Sequence, residues 1–135
     1  MDINQAIAIS AAGMTAQTQR LRIVAENLAN QDSTGSKPGA DPYRRKTVTF
    51  ADKLDQQTGL DKVVVSSVGT DRSDFRLKFD PSHPAADANG YVKMPNVNPF
   101  VELMDMREAQ RGYSANLNVM QVTRSMLTRT IELLK

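Results

Sequence analysis

LMDMREAQRGYSANLNVMQVTRSMLTRTIELL, residues 103–134, sets Leu103, Met106, Gln110, Tyr113, Leu117, Met120, Arg124, Leu127, Ile131 and Leu134 at alternating steps of three and four. That is the 3.5-residue repeat of a helix seam, with Gln110 and Arg124 set into it; a strand would repeat every two. Val119, Val122, Met126 and Leu133 follow a second apolar line on a neighbouring face. Upstream, Asn98 suits an N-cap, Pro99 the first helical position and Glu102 the positive end of the helix dipole. A helix over residues 99–135 follows. One stripe marks a helix packed on its own domain. Two stripes on about 37 residues, where ordinary globular helices run about 11–12, call for surface from outside the chain.

The N-terminal segment repeats the pattern. Asp2 can cap a helix with Gln5 at capping-box spacing, and Ile3, Ile7, Ser10, Met14, Gln17, Leu21, Val24 and Leu28 again alternate fours and threes. Ala6, Ala8, Ala11, Ala12 and Gly13 permit another helix to approach closely. Gly13 costs about 1 kcal/mol against alanine in an exposed helix, so close packing is its natural reason. Asp32, Ser33, Gly35, Pro38 and Gly39 end the helix near Asn30. At about 1.5 Å per residue the two helices are roughly 43 and 55 Å long.

Between them, residues 31–98 read as a β-rich insert. Phe75-Arg76-Leu77-Lys78-Phe79 alternates as a half-buried strand does; Thr47–Phe50 and Val63–Val65 have strand propensity; Asn89-Gly90 signals a turn before a short strand at Tyr91–Met94. Only 5% of the 135 residues are aromatic, and Trp is absent. Such an insert lacks the large apolar residues to cover two long rods. The expected fold is therefore mainly α with a small β-rich insert: helix 1–30, insert 31–98, helix 99–135, the two helices pairing in coiled-coil fashion. Ile3, Ile7, Met14, Leu21, Val24, Leu28, Leu103, Met106, Tyr113, Leu117, Met120, Val122, Met126, Leu127, Ile131 and Leu134 form the candidate assembly interface. Repeated heterologous contacts of that kind build rings or open filaments.

The chemical reading is sparse. Cysteine is absent, which excludes disulfides, thiol nucleophiles and Cys-ligated metals. Seventeen Lys and Arg against fifteen Asp and Glu give a net charge of +2, and the sign is balanced along the chain, which points away from nucleic acid and anionic membranes. Arg44-Arg45-Lys46, the one basic cluster, reads as the solvated start of a strand. His83, the single histidine, sits between prolines in Asp80-Pro81-Ser82-His83-Pro84, with Asp80 and Asp87 as the nearest acids. A turn is the expected role; the alternative is a small soluble ligand-binding or hydrolytic domain using that loop. No nucleophile–base or phosphate-cradle motif appears near Ser33, Thr34 or Ser36, so no catalytic residue, metal ligand or cofactor is assigned. No apolar run approaches the roughly 20 residues of a membrane span. Asp2, with no basic residue before Arg20, argues against a cleaved signal peptide.

Ser10-Ala11-Ala12-Gly13-Met14, Ala16-Gln17, Arg20-Leu21 and Ala25-Glu26-Asn27-Leu28-Ala29-Asn30 resemble the N-terminal signature of bacterial flagellar rod and hook proteins. The run from Asp80 to Asn98, with Arg111-Gly112-Tyr113-Ser114-Ala115-Asn116, narrows the resemblance to basal-body rod proteins of the proximal-rod type. It extends from Ile3 to Leu134 and is least specific over residues 51–79. The resemblance implies export without signal cleavage through the flagellar type III apparatus and assembly in the periplasm into a rod. The terminal helices would form the inner tubular layer, with the insert outside. It implies as partners further copies of the chain, proximal and distal rod subunits, the rod-base junction protein and the MS ring. It also implies a mechanism of packing and torque transmission rather than catalysis.

Overall fold

The computed structural model describes residues 3–134. Two long helices bracket four strands: α1 (Ile3–Ala29), β1 (Lys46–Asp55), β2 (Leu60–Thr70), β3 (Arg76–Phe79), β4 (Tyr91–Met94) and α2 (Pro99–Leu133). The proposed Asp2 cap lies outside the described residues. At the other helix the expected start is met in detail. Asn98 Oδ1 accepts the Phe100 amide at 3.0 Å, the Asn98 carbonyl accepts the Glu102 amide at 3.1 Å, and Pro99 opens the helix without a donor to satisfy. α1 ends where the turn-forming residues begin, and the Asn30 side-chain amide donates back to the Glu26 carbonyl at 2.9 Å.

The strands form two separate pairs, β1 with β2 and β3 with β4. Residues 56–59 join β1 to β2, a connection short enough only for a hairpin. Here Asp55 anchors the turn: its carboxylate takes a hydrogen bond from Lys62 Nζ and the amide of Gln57, which hold its pKa down at about 2. β3 and β4 run antiparallel, with Leu77 opposite Lys93 and Phe79 opposite Tyr91; the Phe79 and Tyr91 rings meet edge to face at 5.2 Å. The alternation in β3 does locate a strand, but not a half-buried one. All four of its residues are exposed, because a two-stranded sheet leaves Leu77 and Phe79 with no layer over them. Gly90 takes a φ of +83° before β4, where a Cβ would also lie 3.0 Å from Phe79 and Pro81.

The chain forms two compact units, each built from parts of both helices. One comprises residues 1–21, 48–67 and 107–135, the other 22–47 and 68–106. The second holds most of the buried side chains: Ile23, Val24 and Asn27 of α1, Ala85, Val92, Pro95 and Val97 of the insert, and Glu102 of α2. Among its described residues the first buries only Ser10, Ala16 and Ala109 to a comparable degree. Among the described residues none beyond Ala109 is buried. Local opening free energy follows buried contact. In a monomer, amide-exchange protection should therefore be highest over residues 22–29 and 102–109 and fall steeply from Leu117 to Leu133. Uniformly strong protection to Leu133 in a verified monomer would contradict this.

Candidate assembly surface

In the unit formed by residues 1–21, 48–67 and 107–135, the small residues of α1 do what their size allows. A Cβ at Gly13 would lie 2.7 Å from Asn116 Nδ2, and one at Gly112 would lie 3.1 Å from Gln17 Nε2. Each helix thus offers a glycine to an amide side chain of the other, and Asn116 Nδ2 also donates to the Gly112 carbonyl at 3.0 Å. Arg20 pairs with Glu108 at 3.3 Å and lies 6.0 Å over the Phe50 ring. Met14, Leu21, Tyr113, Leu117, Met120 and Leu127 are half-buried, as are Ile3 and Ile7. The line of Val119, Val122, Met126 and Leu133 is not: these residues are 49%, 53%, 60% and 87% exposed. The main seam also loses its cover at its end, where Ile131 and Leu134 are exposed.

In the other unit Val24 is buried, Leu28 and Met106 are half-buried, and Leu103 is exposed. Phe100 and Met104, one helical turn apart, are 80% and 72% exposed. Met104 belongs to the apolar start of α2, but Phe100 falls off both seams and periodicity gave no reason to pick it out.

The start of α2 is held by a polar clasp that the sequence does not advertise. Glu102 is fully buried. Arg45 Nε donates to its Oε1, and Asn27 Nδ2 donates to its Oε2 at 3.1 Å. Asn27 uses every position it has: Nδ2 also reaches the Lys46 carbonyl at 2.9 Å, while Oδ1 accepts from Tyr43 Oη at 2.8 Å and the Lys46 amide at 2.9 Å. Lys46 Nζ pairs with Glu26, and Arg45 also faces Asp105 at 3.4 Å and Asp71 at 3.8 Å. Burial, then the charges of Glu26 and Glu102, push the Tyr43 phenol upward, which keeps it a donor to Asn27. Hydrogen bonds from Ser73, ahead of the attraction of Arg45, hold the Asp71 carboxyl below its ordinary value. Arg44 stacks 4.1 Å over the Phe75 ring and donates to the carbonyls of Asp71 and Ser73. Asn96 accepts the Arg45 amide at 2.8 Å and donates to the same two carbonyls. The basic cluster does lead into a strand, since Lys46 opens β1, but it is not a solvated one. Its charges are matched one by one by acids and carbonyls from distant parts of the chain.

His83 is engaged by its own surroundings. Its Nδ1 accepts the Ala85 amide at 3.0 Å, and Nε2 stands 3.5 Å from Thr34 Oγ1. Among the described residues no group of three or more His, Cys, Asp or Glu is placed to hold a metal ion, and no helix is long and apolar enough to cross a membrane.

Residues 88–133 match the family described as flagellar basal body rod FlgEFG protein C-terminal. The flagellar basal-body rod protein FlgC of Agrobacterium fabrum is 55% identical over 133 residues, covering 98% of this chain and 96% of that protein. The chain belongs to the FlgC family of flagellar basal-body rod proteins. FlgC of Bacillus subtilis is 37% identical over 140 residues, covering 93% of each chain, and FlgC of Salmonella typhimurium is 39% identical over 125 residues, covering 93% and 92%. The resemblance read from the sequence is thus met. The chain is a structural subunit of the bacterial flagellum, located in the basal-body rod and serving motility in company with other basal-body components. The runs that carry the resemblance also acquire a physical meaning here. Asn27 and Asn96, which stand inside the two most recognisable runs, are the amides that hold the clasp together.

Proposed function

We propose that this chain builds the proximal part of the rod through its two terminal helices, residues 1–30 and 99–135, which pair in coiled-coil fashion as an inner domain of a helical tube. Residues 31–98 face outward. The tube transmits torque by packing and encloses the export channel. The subunits reach the periplasm through the type III export apparatus without a cleaved signal. Further copies, proximal and distal rod subunits, the rod-base junction protein and the MS ring are its neighbours, and it has no enzymatic, cofactor-binding or nucleic-acid role. The observation that carries this reading is the exposed line Val119, Val122, Met126 and Leu133 on a helix whose other apolar line is half-covered. A contiguous apolar stripe of this kind marks a partner surface.

Two strains test it: one lacking this chain, and the same strain supplied with it in trans. The expected result is loss of rods and swimming in the first and recovery of both in the second. His83→Asn should restore swimming as fully as the native chain. Intact rods in the strain lacking the chain would overturn the proposal.

A further inference from the structure

The loop of residues 80–91 is stitched to the segment around Gly39 by a set of contacts that meet at His83 and Ala85. The Ala85 carbonyl accepts the Gly39 amide at 3.3 Å, and the Ala85 amide donates to His83 Nδ1 at 3.0 Å. Ala85 itself is 2% exposed. A backbone N–H can only donate, so Nδ1 must present its lone pair. The proton of the neutral ring therefore sits on Nε2, aimed toward Thr34 Oγ1 at 3.5 Å. A protonated ring carries hydrogen on both nitrogens and cannot accept from Ala85. Two donors would then face each other at the present 3.0 Å, between a half-buried ring and the amide of a buried residue.

We propose that His83 is a proton-sensitive latch: the neutral ring closes the 80–91 loop onto the Gly39 segment, and the protonated ring releases it. The freed Ala85 amide belongs to a residue only 2% exposed, so the loop must shift to rehydrate it, and the Ala85 carbonyl leaves Gly39 as it does. Charges reach the ring from each side of its cleft. Asp32, Asp80 and Lys78 of β3 are the charged groups that line it with His83, while Val92 and Met94 of β4 contribute none. The hydrogen bonds from the Ala86 amide to the His83 carbonyl, and from the Asp80 amide to the Gly90 carbonyl, do not involve the ring. They keep the loop's own turns in place when the latch opens. The outer insert would thus loosen locally in acid without unfolding. This inference concerns the insert and stands whether or not the terminal helices build the tube.

Amide exchange of the full chain at about pH 8 and about pH 5, the span over which histidine is the switching side chain, tests it. With intrinsic rates divided out, protection at Ala85 and Gly39 should fall about fivefold or more at the lower pH, the loss expected for one net hydrogen bond. His83→Asn places an oxygen where Nδ1 stands and cannot take up a proton in that range, so its protection should be equal at both pH values. His83→Ala should be weakly protected at both. Equal protection of the native chain at both pH values would overturn the latch. So would a fall in His83→Asn matching the native one, since the loss would then not depend on the ring. Nitrogen chemical shifts of the ring give a check that needs no variant. The neutral form must carry its proton on Nε2, and a proton on Nδ1 would refute the proposal.

Discussion

Glu102→Ala should lower the stability of the unit formed by residues 22–47 and 68–106 by about 3–5 kcal/mol, enough to unfold it in a chain of ordinary marginal stability. The carboxylate is fully buried and takes hydrogen bonds from Arg45 and Asn27. Its removal strips the largely buried Arg45 of its innermost partner and takes the acceptor from one of the two Asn27 side-chain N–H groups, the other keeping the Lys46 carbonyl. Arg45→Met should do comparable damage, because it leaves the negative charge of Glu102 buried with a single neutral donor. Changing both together, Arg45→Met with Glu102→Leu, should cost well under the sum. An ion pair exchanged for apolar side chains of similar volume loses its Coulomb attraction but also its desolvation penalty. Urea unfolding of these proteins, with Glu102→Leu alone as the fifth to close the cycle, measures this. A loss below about 1 kcal/mol for Glu102→Ala, or strict additivity of the two changes, would show that the clasp is incidental.

Val122→Asp and Leu127→Asp should each prevent incorporation into rods while leaving the free protein folded and exported. Val122 is 53% exposed and Leu127 half-exposed, so a carboxylate at either place remains hydrated in the monomer. Once a neighbour covers the helix, that carboxylate must be buried unpaired or take up a proton, at a cost of several kcal/mol in every subunit added. Each 1.4 kcal/mol is about tenfold in affinity, so polymer growth should fall by more than a hundredfold. Secreted protein and assembled rods are measured separately for each variant. Normal rods from Val122→Asp would remove the second seam and leave an ordinary helix packed on one face. Loss of secretion in both would place the two residues in export instead.

The helices and their limits were legible because their signals are local. An N-cap at Asn98, a proline at the first position and a 3.5-residue apolar repeat are each written within a few residues, and α2 begins at Pro99 as they require. β1, β2 and β4 likewise contain Thr47–Phe50, Val63–Val65 and Tyr91–Met94. What local reading missed depends on distance along the chain. Alternation in β3 reports a face, not whether another layer covers it, and none covers Leu77 or Phe79. Arg45 and Glu102 are 57 positions apart, and nothing in either neighbourhood names the other. A run of three basic residues looks solvated until its acids arrive from α1, α2 and the segment around Asp71. The one available hint was the signature itself. Asn27 and Asn96 stand inside the runs that carry the resemblance, and both are amides whose side chains hydrogen-bond to distant parts of the chain.

In the proposed assembly, neighbouring subunits cover the second apolar line of α2 in the rod wall. An electron-microscopy map of basal bodies from cells carrying this chain, at a resolution that shows side chains, would reveal it. The expected map places the chain in a tubular wall with both terminal helices innermost and with Val119, Val122 and Met126 packed against another subunit. A map in which those three residues face water, or in which the helices lie outside the insert, would contradict it.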